Sequence, residues 1–497
     1  MGKLIQNERT KLYRKISTWV LMGVIILLMA AILILSKIAG GSSAWYDSWE
    51  SDYEETLGRL QMWVQKDPDD LYQKYQLKEV QYLYDNQIAP TDWRSEVVYR
   101  ICDAQRQIEE AQLSQEEGGT QQPGQMPVDT EALQKQVDEL TRVLESNSWQ
   151  EYIRMQMEEL KTSESLNDAE RQVEEDILQM YLDYDIAPMP SGGYFSYYTF
   201  SVPDLSWKDD QLDIIRANKL ALVRGQVDNN PIDSTTRASL QQQIDVATER
   251  LKTGIAPVSA TSFAGLMDAS TGSISLISLL IIVLAGGLIA TEFSTGTIKL
   301  LLITPHKRYK IFWAKVILML EVILMTAGAM FVVAFLVSGM LTGFEGIAAM
   351  QVLSLFGRVI RMPYLLFVLF KYVLYLLPVV FYMSLALMLS AVTRKSAIAI
   401  AVSLLLMYGS QMVVLLLAAI SSGFGIVLPG ASFVVFANTD LSVYLPSASS
   451  GLASMMGMGS MLVDPHMTLG FSVIVLLVYT ACFLWIARDS FCRRDIR

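Results

Sequence analysis

Long apolar runs alternate with shorter polar segments along most of the chain, and this alternation predicts a membrane protein. A helix rises about 1.5 Å per residue, so about 20 apolar residues are needed to cross about 30 Å of hydrocarbon. The runs that reach this length are each predicted to form a transmembrane helix: residues 16–38, 273–291, 313–341, 364–392, 397–419 and 468–487. The first run is too long for a cleaved signal sequence, so we interpret it as a permanent span.

The polar stretch between the first two runs, residues 39–265, has the periodicity of helices rather than strands. Apolar side chains recur there every three or four positions, most clearly in two sets: Leu133, Val137, Leu140 and Leu144, then Trp149, Ile153, Met157 and Leu160. This spacing places each set on one face of a helix. The predicted fold class is therefore an all-α membrane protein with six transmembrane helices and a large, mostly helical domain between the first and second.

A similar sequence recurs where three helices of this domain are expected to end. It occurs at residues 83–90, 182–188 and 254–257, and each copy closes with Ile-Ala-Pro. Proline lacks a backbone N–H and disfavours helical geometry in the residue before it. We therefore expect each helix to be stopped by its proline.

The distribution of basic residues predicts the orientation of the spans. Cytoplasmic loops of membrane proteins are enriched in Lys and Arg. Most basic residues outside the polar domain precede the first run, follow the second or fourth run, or lie at the C-terminus. We accordingly expect a cytoplasmic amphipathic lead-in (1–15), a first span (16–38), an extracellular domain (39–265) and a membrane domain (266–497), with both termini in the cytoplasm.

Residues 420–467 fit no complete span. Their apolar part, residues 424–436, is too short to cross a bilayer and is interrupted at Pro429 and Gly430, so we predict a re-entrant or interfacial segment on the outer side. The methionine-rich stretch 451–461 within it is interpreted as an adaptable apolar loop. A copper-handling role is the alternative, since thioethers favour Cu(I).

Composition excludes several function classes. The net charge is −11, and about 41 of the 50 acidic residues lie in the polar domain, which disfavours nucleic-acid binding. Only two histidines are present, and no glycine-rich phosphate-binding loop of the type Gly-x-x-x-x-Gly-Lys-Ser/Thr occurs. We expect no enzyme activity, no ATPase and no metal site in this chain, and no cofactor bound by it.

The connection between the second and third apolar runs carries the most specific pattern. It reads TEFSTGTIKLLLITPHKRYK over residues 291–310, in which an acidic residue and a Gly-Thr pair precede a short apolar helix, a proline and a basic cluster. This pattern resembles the permeases of ABC-2 type transporters, the membrane-spanning subunits of ATP-binding cassette exporters. The resemblance is close over about twenty residues and extends loosely, through the order of spans, over residues 265–497.

The resemblance implies that this loop is a coupling helix that docks on a separate ATPase subunit. The residues that carry the pattern are expected to make that contact: Glu292, Gly296, Thr297, Lys299, Leu300, Leu301, Pro305, Lys307, Arg308 and Lys310. An ordinary positive-inside loop is the alternative. This alternative explains the basic residues, but it explains neither the segment Glu292 to Thr297 before the apolar helix nor the proline after it.

The implied function is that of an exporter permease in the bacterial plasma membrane. Its partners would be a P-loop ATPase subunit that binds ATP and Mg²⁺, a second permease copy or a related permease, and membrane lipids. The cargo would be an antimicrobial peptide, a lipid, a drug or another amphipathic molecule. The competing hypothesis is an envelope sensor or scaffold whose outer domain binds a cell-surface ligand.

Three further features are singled out by their position. Glu321 lies inside the third run, where an unpaired carboxylate is costly, so it is a candidate conduit residue or else the partner of a cation such as Lys315. Lys371, near the outer end of the fourth run, is expected to extend to the interface. Residues 4–15 resemble the family's connecting helix along the inner leaflet, and a plain topogenic tail explains them nearly as well.

Overall fold

The structure is a computed structural model, which describes residues 2–40, 49–116, 129–162, 166–190, 206–227, 230–232, 234–294, 307–355, 357–424, 430–445 and 467–493. It divides into two compact units. The membrane unit comprises Met1–Ser42, Pro257–Leu353 and Ile360–Arg497, and the helical unit comprises Ser43–Ala256 with Ser354–Val359. The polar segment that follows the first apolar run therefore forms a compact unit of its own.

Helices dominate the membrane unit. In chain order they are α1 (Gly2–Tyr13), α2 (Ile16–Gly40), α11 (Phe263–Gly272), α12 (Ser275–Ser294), α13 (Arg308–Thr342), α14 (Tyr364–Thr393), α15 (Ser396–Phe424) and α16 (Leu469–Arg493). Within the described residues, 6 helices are long and apolar enough to cross a membrane, with α11 and α12 together forming the second. The chain is thus a multi-pass helical membrane protein.

The second span begins earlier than its hydropathy predicts. The predicted start is Ser273, but α11 already begins at Phe263, where the Ser262 side chain accepts a hydrogen bond from the Gly265 amide. Most side chains of α11 are buried, including Asp268. The polar residues of α11 lower its hydropathy, and their burial is visible only in the tertiary structure.

The connection between α13 and α14 contains two strands that the sequence analysis missed. β3 (Met350–Leu355) pairs with β4 (Arg358–Pro363), and Gly357 has φ of 75° in the turn between them. Glycine adopts this left-handed conformation without steric cost. The all-helical prediction is therefore too simple at this point, because two short strands next to a span give little periodic signal.

The helical unit contains the helices predicted from periodicity. They are α3 (Trp49–Lys66), α4 (Leu71–Asp85), α5 (Trp93–Glu116), α6 (Thr130–Ser146), α7 (Trp149–Thr162), α8 (Asp168–Asp183), α9 (Trp207–Arg224) and α10 (Ser234–Thr253). A two-residue pairing of β1 (Gln226–Val227) with β2 (Asn230–Pro231) links α9 to α10. The mainly helical prediction for this domain is confirmed.

Side chains from the predicted apolar faces fill the cores of this unit. Leu140 and Val143 of α6 pack with Trp93 and Val97 of α5 in one cluster. Ile153 of α7 belongs to a second cluster formed largely by α8, α9 and α10. A third cluster joins α3, α4 and α5 around the fully buried Tyr53, Leu83 and Val80.

The recurring sequence at the helix ends forms a defined cap, but the proline is not what stops the helix. α4 ends at Asp85 and α8 at Asp183, five residues before the respective prolines. In both copies a residue with positive φ follows, Gln87 at 53° and Asp185 at 52°. The amide of the next residue then bonds back across the turn, from Ile88 to the Leu83 carbonyl at 2.9 Å in the first copy.

This geometry is a Schellman cap, in which the left-handed residue ends the helix and an apolar residue behind it packs on the last turn. Ile88 and Ile186 supply that contact, and both are buried. The expectation that proline ends these helices was wrong, because the left-handed residue has already turned the chain before the proline is reached.

Candidate functional site

The structure describes only the flanks of the predicted coupling loop. Gly296, Thr297, Lys299, Leu300, Leu301 and Pro305 lie outside the described residues, so their role stays a prediction. Glu292 lies in the last turn of α12, Lys307 is the N-cap of α13, and Arg308 and Lys310 lie in the first turn of α13. The loop therefore leaves and enters the membrane unit at two described helix ends.

The basic cluster at the start of α13 divides into one structural residue and two exposed ones. The Arg308 guanidinium donates to the Cys492 carbonyl at 3.3 Å, which joins the start of α13 to the end of α16. Lys307 and Lys310 are exposed. Cations at a helix N-terminus oppose the helix dipole by about 0.3–1 kcal/mol each. Local helix stability therefore does not explain the two lysines.

A buried charge network lies seven residues into α13. The Lys315 ammonium donates to Glu8 Oε2 at 2.9 Å and to Glu292 Oε1 at 2.7 Å. The Lys315 side chain is 1% exposed, and both carboxylates are largely buried. Lys11, at 3.2 Å from Glu8 and 3.9 Å from Glu292, is the fourth member of this network. Two cations and two carboxylates therefore balance one another where α1, α12 and α13 meet.

Charge balance is what makes this burial tolerable. Removing a charge from water costs several kcal/mol unless an opposite charge and hydrogen bonds replace the solvent. Burial alone raises the pKa of Glu8, but the neighbouring Lys315 ammonium and then Lys11 outweigh it, so the pKa lies below its usual value. Glu8 is thus held as a carboxylate, and removing Lys315 would leave two buried carboxylates facing each other.

Glu321 has a different partner from the one predicted. Arg9 Nε donates to Glu321 Oε2 at 2.7 Å, and the Glu321 side chain is 28% exposed. Glu321 thus has the cationic partner that one of the two predictions required, but the cation is Arg9 rather than Lys315, which is bound to Glu8 and Glu292. Two neighbouring residues of α1, Glu8 and Arg9, therefore hold two positions of α13 that lie six residues apart.

The end of α12, which leads into the predicted coupling loop, is also held by residues at the end of α14. The Arg394 guanidinium, in the turn between α14 and α15, lies over the Phe293 ring at 4.7 Å from its centroid. One turn earlier, the Ala290 amide donates to Ser390 Oγ at 2.9 Å. The Glu-Phe pair of the sequence motif therefore joins α12 to α13 through Glu292 and to the end of α14 through Phe293.

Sequence reasoning found Glu292 but missed its partners. Lys315 was considered as a partner of Glu321 rather than of Glu292, and Glu8 was not singled out among the basic residues of α1. One signal was present, since Glu8 is the only acidic residue before position 47. An acidic residue in a basic amphipathic segment that precedes a span is a candidate partner for an intramembrane lysine.

A second buried pair corrects the prediction for Lys371. Its ammonium donates to Asp268 Oδ1 at 2.6 Å, and the two side chains are 1% and 0% exposed. The ammonium also lies 4.9 Å from the centroid of the Phe367 ring. Lys371 therefore does not extend to the interface, and Asp268 was overlooked because the predicted span began after it.

A cavity of about 410 Å³ opens in the same unit between α12, α14, α15 and the 3-10 turns of residues 431–444. Tyrosine rings and short polar side chains line it, among them Tyr375, Tyr382, Tyr408, Gln411 and Asp440. Pro378 lies in the wall and interrupts the hydrogen bonding of α14. The cavity gives the membrane unit a mixed apolar and polar surface inside the helix bundle.

These features define a multi-pass helical membrane protein with a helical insertion and a buried charge network at one end of its bundle. The sequence profile of the family described as "Protein of unknown function (DUF2705)" matches residues 248–497, about half of the chain. The chain belongs to this family. The matched region begins near the end of α10 and contains every span after the first.

Two curated proteins of Bacillus subtilis (strain 168) are similar to the chain. The "Uncharacterized membrane protein YdbK" is 29% identical over 241 residues, which are 48% of this chain and 84% of that protein. The "Uncharacterized protein YhcI" is 30% identical over 223 residues, which are 44% of this chain and 65% of that protein, slightly less than two thirds. No solved structure matches the chain significantly.

Proposed function

We propose that the chain is the permease subunit of an ATP-driven exporter and that the loop between α12 and α13 docks on a separate ATPase subunit. The observation that carries the proposal is that both ends of this loop are fixed by polar contacts. Glu292 binds Lys315 at the start of the loop, and Arg308 binds the end of α16 after it. A loop that transmits force needs stiff attachments; a buried ion pair provides one of them and a hydrogen bond to a backbone carbonyl provides the other.

The same contacts support an even number of spans. Glu8 and Glu292 both bind Lys315, so α1, the end of α12 and the start of α13 share one end of the bundle, and Arg308 adds the end of α16 to that group. This end carries the basic residues that mark a cytoplasmic surface. We therefore propose cytoplasmic termini, an extracellular helical unit and a plasma-membrane location.

The exposed Lys307 and Lys310 are proposed to bind acidic residues of the ATPase subunit. Charge reversal at these two positions leaves the Arg308 contact and the buried network in place. It therefore tests the docking surface without disturbing the fold of the loop ends. The matched control reverses two exposed lysines of the helical unit, Lys66 and Lys252.

The experiment is affinity purification of the tagged full-length chain in mild detergent, with mass spectrometry of the subunits that accompany it. We expect a P-loop ATPase in stoichiometric amount with the wild type and with the K66E/K252E control, and its loss with K307E/K310E. Purification of a clean chain without any nucleotide-binding subunit would replace this proposal with the envelope sensor or scaffold.

The cavity between α12, α14 and α15 is proposed to lie on the cargo path. Its combination of tyrosine rings with polar groups suits an amphipathic molecule better than a small inorganic ion. Glu321, which the sequence marked as a candidate conduit residue, pairs with α1. Its proposed role is therefore to hold α1 on α13.

A further inference from the structure

A second cavity lies wholly inside the helical unit. It measures about 660 Å³, is partly open to solvent and is lined by α5, α7, α8, α9 and the segment that follows α8. Volumes of about 300–1,000 Å³ are typical of sites for small organic ligands. We call it the acidic cavity, because its described lining includes five carboxylates and one cationic side chain: Glu96, Glu159, Glu174, Asp209, Asp213 and Arg216.

Ion pairs account for part of this charge. Glu159 binds Arg100 at 2.7 Å, and Glu174 binds Arg216 at 2.8 Å. Asp209 is buried, and it accepts hydrogen bonds from the Tyr181 hydroxyl at 2.8 Å and from the Met189 backbone amide. Neither donor adds a positive charge. The cavity therefore retains an excess of negative charge centred on Asp209 and Asp213.

Aromatic rings form the rest of the wall. Trp93 and Tyr152 pack with their ring centroids 5.7 Å apart, and Tyr181 lies on the opposite helix α8. Tyr152 is 1% exposed, and its hydroxyl interacts with the Arg100 and Gln156 side chains. The wall therefore combines aromatic rings with polar side chains.

We propose that the acidic cavity is a binding site for an organic cation, a small molecule that carries a positive charge on an apolar body. Aromatic faces attract cations, more strongly when the site is shielded from water. The carboxylate of Asp209 supplies the counter-charge, and Trp93 and Tyr152 supply apolar surface. An anion would meet the excess of carboxylates and is excluded by the same arrangement.

The titration of Asp209 supports the proposal. Burial, opposed by the Tyr181 hydrogen bond and reinforced by the charge of Asp213, raises the pKa of Asp209 to about 6. Burial likewise raises the pKa of Asp213. The surroundings of Asp209 therefore disfavour its ionised form, whereas a bound cation would favour the ionised form.

Other charged groups face Asp209 from each neighbouring helix. They are Glu96 on α5, Glu159 on α7, Glu174 and Tyr181 on α8, and Asp213 and Arg216 on α9, all of which line the cavity, together with Asp210 on α9. Cation binding should consequently weaken as the pH falls through the pKa of Asp209. Between pH 7.5 and pH 5 we expect a loss of about tenfold in affinity for a group of that pKa.

The site does not depend on the ATPase coupling, since it lies within the helical unit. It would serve an exporter that collects or releases cationic cargo, and equally a sensor of such compounds. Failure of the ATPase to co-purify therefore leaves this inference untouched, and failure of cation binding leaves the coupling loop untouched.

The test uses the full-length protein in detergent with two probes of nearly equal size and shape but opposite charge, tetraphenylphosphonium and tetraphenylborate. Equilibrium dialysis measures the affinity of each. We expect tetraphenylphosphonium to bind at least tenfold more tightly, and Asp209→Asn to weaken it at least tenfold and to abolish the pH dependence. Asp69→Asn, the same change at an exposed position of the helical unit outside the cavity lining, should alter affinity by less than twofold.

Asp209→Asn should fold, because the cavity already favours the neutral carboxylic acid that asparagine resembles. Equal binding of the two probes would overturn the proposal. So would tetraphenylphosphonium affinity that Asp209→Asn leaves unchanged, since that result would place the bound cation elsewhere in the protein.

Discussion

Lys315 and Lys371 lie on membrane-length helices, and both are buried against carboxylates instead of extending to the surface. A lysine near a helix end avoids the membrane interior by reaching for the interface, unless the fold supplies a nearer anion. Here the anions come from remote chain positions, 307 residues away for Glu8 and 103 for Asp268. An acidic residue in a basic segment, such as Glu8, marks itself as a candidate partner, but the sequence does not show which lysine it binds.

Replacing Lys315 tests the buried network. Lys315→Met keeps the length and apolar stem of the side chain but leaves Glu8 and Glu292 without their central cation. Breaking one side of a buried ion pair costs about 3–5 kcal/mol. We expect a lower thermal midpoint and faster proteolysis at α1 in the full-length protein in detergent.

The control variant is Lys11→Met, which removes the half-exposed cation of the same network. Exposed ion pairs contribute about 0–1 kcal/mol, so this change should have little effect. Adding Glu8→Gln and Glu292→Gln to Lys315→Met should restore much of the stability, because no buried charge is then left alone. Equal effects of Lys315→Met and Lys11→Met would contradict the burial argument.

Asp209 makes the stability of the helical unit depend on pH, and the sign of this dependence follows from the pKa of Asp209. The pKa of about 6 in the folded state exceeds the value of about 3.9 in an unfolded chain, so the folded state binds the proton more tightly. Its contribution to stability is therefore present below about pH 4 and is lost as the pH rises through 6. The difference amounts to about 3 kcal/mol.

Asp209→Asn removes this titration. We expect the variant to be more stable than the wild type at pH 7.5 and to lose the advantage at pH 4.5. Pulse proteolysis of the full-length chain, scored by the survival of the helical unit, measures both conditions. A stability gap of the same size at the two pH values would refute the assignment.

At the scale of elements, the helix ends show what a repeated sequence encodes. Gln87 and Asp185 occupy left-handed backbone positions that cost a residue with a β-carbon about 1 kcal/mol or more. Glycine at either position would remove that cost. The third copy of the repeated sequence, residues 254–257, already has a glycine at the left-handed position, since Gly254 has φ of 67°.

We therefore expect Gln87→Gly and Asp185→Gly each to stabilise the helical unit by about 1 kcal/mol and Gly254→Ala to destabilise it by a similar amount. Urea-dependent pulse proteolysis of the full-length protein gives the three midpoints. If the glycine variants were less stable than the wild type, the prolines rather than the left-handed residues would be ending these helices.

The elements that the sequence predicted are those with a long and uniform pattern. The apolar runs and the periodic faces of α6 and α7 became helices, because each depends on residues close together in the chain. β3 and β4 are too short for a clear period, and α11 contains polar residues that only tertiary burial explains. Of the candidate site, Glu292 was predicted from its motif, whereas Glu8 and Arg394 were not, since they meet the motif only in the folded bundle.

At the scale of the whole molecule, the order of the spans and the buried network make one prediction about sidedness. The chain crosses once before the helical unit and once after it, and then begins the loop that precedes α13. If Glu8 and Glu292 meet at Lys315 on the cytoplasmic side, Lys66 lies outside the cell and Lys310 inside. This orientation agrees with the basic character of the loop ends.

Cysteine labelling in intact cells tests this orientation of the chain in the membrane. Cys102, Cys482 and Cys492 are first replaced, and Lys66→Cys, Lys310→Cys or Lys395→Cys is added singly at a position that is exposed in the fold. A membrane-impermeant maleimide should modify Lys66→Cys in intact cells and should modify the other two only after the membrane is permeabilised. Labelling of Lys310→Cys in intact cells would put the loop on the outer surface, where no ATPase subunit could reach it, and would leave the helical unit facing the cytoplasm.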